Sequence, residues 1–154
     1  MLFAVRVVHV LSALLFFGGL LPVVCLPGVV RRQTHPAARL AGLKLLGSAN
    51  RRFMLPGSIL SGLSGFALSG LKALSLGAHA WLLASVALWA LAMVGGMAVL
   101  APHSRRMVRA AEAAVQTGSL AECDALADAA VPRVTRLVIG FAGLAIAALM
   151  LVRP

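Results

Sequence analysis

Apolar residues gather in four blocks, at roughly residues 2–27, 53–71, 80–101 and 137–152, separated by polar stretches rich in arginine. Each block approaches the run of about 20 residues that a helix needs to cross ~30 Å of hydrocarbon at ~1.5 Å per residue. The pattern predicts an all-α fold, a polytopic membrane four-helix bundle forming one domain over 1–154. The fourth block is the shortest. It spans only with local thinning or help from its neighbours, and Arg136 and Arg153 at its ends can reach the interfaces. One stretch, 103–133, has soluble-helix character and holds all four acidic residues, Glu112, Glu122, Asp124 and Asp128. It reads as a short cytoplasmic helical hairpin. Gly118 ends its first helix, Ser119 with Glu122 forms a capping-box pattern that starts the second, and Pro132 stops or kinks that one. Its mixed charges fit a solvated extension of spans three and four better than a docking element for a partner.

Charge then orients the bundle. Arg31, Arg32, Arg39, Lys44, Arg51 and Arg52 lie between the first two spans, and Arg105, Arg106, Arg109, Arg133 and Arg136 between the last two. Both loops are expected on the cytoplasmic side, which makes the topology N-out and C-out. The other side keeps Lys72, Arg153 and Arg6, the last just inside span one. The first block is longer than a signal-peptide core and lacks an A-x-A-like site, so it is expected to stay as a span. Composition agrees with the membrane reading: 61% of the 154 residues are apolar and 12% are charged, against roughly 25% charged in soluble domains. A formal charge of +10 would point to nucleic acid in a soluble chain. Here it is a topology signal, with no nucleic-acid partner expected. Cys25 and Cys123 are isolated and form no disulfide framework.

Helices in lipid gain little hydrophobic drive toward one another, so small residues mark close packing. In span two, Gly57, Ser61, Gly65 and Ser69 recur every four residues, with Ser58 and Gly62 as a second row, so this helix is expected inside the bundle. Pro56 suits its first turn. Span one carries Arg6 and His9 on a face that continues through Ser12, Ala13, Phe16 and Gly19. An ionisable group inside a span is costly, which makes His9 a functional candidate beside the plainer reading of a packed, hydrogen-bonded histidine. His79 opens span three on the same side, near Lys72. His9 and His79 are candidate axial ligands of a b-type haem, with Arg6 and Lys72 meeting its propionates. Both reach one iron only if their helices are offset by about two turns. His9 alone, as a ligand or as a hydrogen-bonding group for quinone or substrate, is the alternative. Met93 and Met97 read as core, and His35 and His103 as surface residues beside basic clusters. Arg51, Arg52, Arg105 and Arg106 are candidate contacts for anionic lipid headgroups or another anion.

The segments HVLSALLFFGGLLPVVCLPGVVRR and NRRFMLPGSILSGLSGF resemble the four-helix membrane proteins grouped around the CopD copper-resistance domain, the HemJ-like protoporphyrinogen oxidases and related membrane proteins of unknown function. The match runs over residues 6–70, on His9, the Gly18-Gly19 pair, Arg52, Pro56 and Gly62. The resemblance implies a haem-handling, copper-related or respiratory accessory role in a bacterial inner membrane, with His9 at the family's span-one histidine. Two functions are then expected in competition. One is a non-catalytic subunit or cofactor-binding bundle, holding haem b through His9 and joining a larger electron-transfer complex, other membrane subunits or a second copy. The other is a porphyrinogen-oxidising enzyme using His9 as proton acceptor, with a copper-related membrane role ranked last.

Overall fold

A computed structural model describes residues 1–75, 77 and 79–152, and the described chain is helical throughout with short turns. The elements are α1 (Leu2–Cys25), α2 (Pro27–Arg31), α3 (Pro36–Ala49), a π-helical turn at Asn50–Met54, α4 (Leu55–Leu71), α5 (Ala80–Gly95), a second π-helical turn at Gly96–Leu100, α6 (Ala101–Thr117), α7 (Ala121–Ala127) and α8 (Ala130–Val152). Four continuous helical stretches are long and apolar enough to cross a membrane: Leu2–Arg31, Pro36–Leu71, Ala80–Thr117 and Ala130–Val152. The second and third, at 36 and 38 residues, are about 55 Å long at ~1.5 Å per residue. That exceeds the hydrocarbon by some 25 Å, so α3 and α6 project beyond it at the basic end and pack on each other. The fourth helix begins seven residues before its apolar block and takes in Pro132 near its start. Arg153 lies outside the described residues.

Two antiparallel pairs make the bundle. α1 packs on α4, and α5 packs on α8. Along the first pair a Cβ added to Gly57 would stand 2.4 Å from the Phe16 amide nitrogen, and one on Gly19 would stand 2.4 Å from that of Met54. Backbone meets backbone there, an approach that only glycine permits. The second row of small residues faces α5 instead: Gly62 lies under the Trp89 indole, whose Nε1 donates to the Ser58 carbonyl and hydroxyl at 3.1 Å each. The two rows in span two are therefore two separate packing faces. Leu20 fills the notch at Gly143 and joins α1 to α8. Each span keeps an outward apolar strip, with Leu14 63%, Leu63 64%, Leu83 54% and Phe141 71% exposed. Such exposure would be untenable in water and is ordinary in lipid.

Beyond the membrane, α3, α6 and α7 form a second small core of Ala110, Ala111, Ala114 and Cys123 against Leu40 and Leu43. The stretch 36–49, expected as loop, is a helix, and 103–133 does more than stay soluble. Its acids reach back to that helix and its approach: Asp124 pairs with Arg39 at 2.6 Å, Asp128 with Arg31 at 2.8 Å and Glu112 with Lys44 at 3.0 Å. Arg39 is buried and also donates to the carbonyls of Gln33 and Arg31, so one guanidinium ties the turn after α2 to α7. Gly118 ends α6 in the left-handed conformation, φ 76°, as expected. The capping box does not form. Leu120 takes the N-cap position, and Ser119 accepts only a long bond from the Ala121 amide.

Candidate functional site

At the end away from the basic loops, His9 is built into the α1–α4 seam. Its Nδ1 lies 3.1 Å from the Ser61 carbonyl oxygen and 3.0 Å from Ser64 Oγ, and its ring edge fills the notch at Gly65. The Ser64 hydroxyl hydrogen is directed to the Leu60 carbonyl at 2.6 Å. Both groups facing His9 thus accept, which places a proton on Nδ1. His79 caps α5, bonds through Nδ1 to the Ser75 carbonyl at 3.0 Å and stands edge-on to Trp81. Lys72 caps α4, and Arg6 is exposed. Among the described residues no hydrogen bond or ring contact joins the two histidines, and no three His, Cys, Asp or Glu side chains cluster to hold a metal. Of the positions that carried the family likeness, His9, Gly19 and Gly62 all sit where helices touch. Their pattern is first of all a recipe for helix packing.

Space for a ligand lies elsewhere. Between the two helix pairs, from mid-membrane to the basic end, runs a cavity of about 320 Å³, within the roughly 300–1,000 Å³ of small-molecule sites. Its inner walls are Phe16, Met54, Ala92, Met93, Met97 and Leu100. Met93 and Met97, expected as core, face a space, although the Met93 sulfur also accepts from Ser58 Oγ at 3.1 Å. His9, His79, Arg6 and Lys72 do not border this cavity. Both π turns do: Asn50 and Met54 come from one, Gly96, Met97 and Leu100 from the other. A π turn widens the helix and recurs at functional sites. Here each one moves wall residues at the point where a long helix leaves the membrane.

The mouth is basic, with Arg31, Arg39, Arg133, Arg136 and His103 at its rim. Arg39 is committed to Asp124, while Arg31 and Arg133 share Asp128. Arg136, half-buried, makes no hydrogen bond or ion pair among the described residues. His103, just past the third apolar block, senses this surplus: burial first, then Arg136 and Arg106, push its imidazole below the ordinary value and hold it neutral. Nearby, burial pushes the Cys123 thiol up, against the opposing pull of Arg39. Arg51, Arg52, Arg105 and Arg106 stay exposed at this end, where they can meet lipid headgroups. Sequence reasoning missed Arg136 and His103 as site residues, because nothing in spacing shows which arginine of a basic loop turns inward. An arginine at a span boundary with no acid at helical distance was the available signal.

Taken together, these features define a four-span helical membrane bundle with an internal, cationic-mouthed cavity. Its sequence matches a family model over residues 3–154, and the chain belongs to that family of predicted integral membrane proteins, DUF2269. Among curated proteins and solved structures, none matches it.

Proposed function

We propose that this protein is a non-catalytic integral membrane subunit that binds a small, largely apolar ligand inside its bundle. The observation that carries the reading is the cavity between the helix pairs, with both π turns in its walls. A binding role also suits its polar groups: the two aspartates at the mouth are held by arginines, leaving them poorly placed to exchange protons with a substrate. Haem b on His9 is the narrower version of the reading. The proton on Nδ1 favours it, since that tautomer puts the neutral ring's lone pair on Nε2. Against it, none of His9, His79, Arg6 and Lys72 borders the cavity, and His79 Nδ1 is bonded to the Ser75 carbonyl. An absorption spectrum of purified protein, oxidised and dithionite-reduced, decides that version: no Soret band removes it.

Gly96 gives the general test. It borders the cavity, and an added Cβ would meet nothing within 4 Å. Gly96→Phe therefore fills the space without straining a neighbour. Native mass spectrometry of detergent-released wild type should show a co-purified small-molecule adduct that Gly96→Phe lacks at unchanged thermal stability. A bare wild type, or an adduct equal in both, would count against the proposal.

A further inference from the structure

Resting on the ligand-binding reading above, we infer that the ligand is an anionic amphiphile, an apolar molecule ending in a carboxylate or phosphate, and that Arg136 binds its acid group. Charge at the mouth is unbalanced. Four arginines border it, and only two aspartates stand among them. Three of the arginines are satisfied by those aspartates, leaving Arg136 half-buried at the edge of an apolar space without a counter-ion among the described residues. A cation in that position is expensive unless an anion joins it, and a guanidinium is suited to pair bidentately with a carboxylate or phosphate.

The shape of the cavity points the same way. The walls beyond Arg136 are methionine, leucine and phenylalanine, and they run from the mouth toward mid-membrane. Methionines adapt to irregular apolar partners such as a flexible chain. A fully charged small anion gains nothing from those walls, and a neutral apolar molecule leaves Arg136 unpaired. An apolar body with one acid group at its end satisfies both parts at once. His103, held neutral beside Arg136, can donate or accept one further hydrogen bond to that group. The acid group has two natural sources, a free fatty acid and the phosphate of a membrane lipid.

The test uses full-length protein in a neutral detergent and two matched probes, dansylaminoundecanoic acid and its methyl ester. The acid should bind wild type at least about tenfold more tightly than the ester, equivalent to about 1.4 kcal/mol. Arg136→Gln should lower affinity for the acid about tenfold and leave the ester unchanged, with Arg136→Lys recovering part of the loss. Gly96→Phe should abolish binding of both. Competition by oleate, or by phosphatidylglycerol, names the source; either result supports the inference. Equal binding of acid and ester, or an Arg136→Gln protein that still prefers the acid, would overturn it while leaving the cavity reading intact. Binding of both probes that Gly96→Phe does not affect would instead overturn the cavity reading.

Discussion

Along the α1–α4 seam, Gly57 and Gly19 let backbones approach so closely that a single added carbon would stand 2.4 Å from a facing amide nitrogen. Between the two helix pairs toward the basic end, Gly96 faces open space and methionines line a void. Glycine thus serves two opposite ends in one bundle. In lipid, where apolar surface alone drives no association, a tight seam must be made by small residues and interhelical hydrogen bonds. A gap survives only if other contacts hold its walls. Those contacts are Trp89 on Ser58, Leu20 on Gly143, and the α3–α6–α7 layer with its ion pairs outside the membrane.

The largest effect should come from breaking the seam. Gly57→Leu forces α1 from α4 and should lower stability by about 3 kcal/mol or more, read as loss of the monodisperse peak on heating in detergent. Gly18→Leu, one residue from Gly19 but with an added Cβ meeting nothing within 4 Å, should leave that peak unchanged. If both variants behave alike, the seam is not what holds the pair. Next comes the α3–α6–α7 layer: Arg39→Ala strands Asp124 and two carbonyls and should cost about 2–3 kcal/mol. Lys44→Ala, which breaks an exposed pair, should cost less than about 1 kcal/mol. Chemical denaturation of the two variants makes that comparison.

The same layer protects a thiol. In a Cys25→Ala background, Cys123, fully buried with its thiol pushed up, should react with maleimide on the order of 100-fold more slowly than in the denatured chain. Arg39→Ala should shorten that gap. Fast labelling of the folded protein would mean that α7 is not docked on α6. The smallest effect concerns the turn after α4, where Ala73 holds φ 51° at a position that favours glycine. Ala73→Gly should raise stability by up to about 1 kcal/mol in a thermal-shift assay.

The spans and their small-residue faces were legible because the bilayer imposes length and close packing leaves a repeat. The two rows on span two, Gly57, Ser61 and Gly65 and then Ser58 and Gly62, follow from spacing alone; that the first faces α1 and the second α5 does not. The helix at 36–49 was not legible, since its partners in α6 and α7 lie 60 to 90 residues away and arginine-rich sequence beside a membrane already has a topological explanation. His9 was legible as a rare ionisable group inside a span. Its fixed position against Ser61 and Ser64 was not, because hydrogen bonds to a facing helix have no local signature. The cavity was invisible for the same reason: a void is a property of how four helices sit together, and Met93 and Met97 read equally well as filling a core.

The most direct test of where this bundle binds its ligand is photo-crosslinking with a diazirine-bearing fatty acid in nanodiscs, with labelled residues mapped by peptide mass spectrometry. The account predicts labels concentrated on Met54, Met93 and Leu100, and their loss in Gly96→Phe. Labels confined to outward positions such as Leu14, Leu63 and Phe141, or gathered around His9, would contradict it.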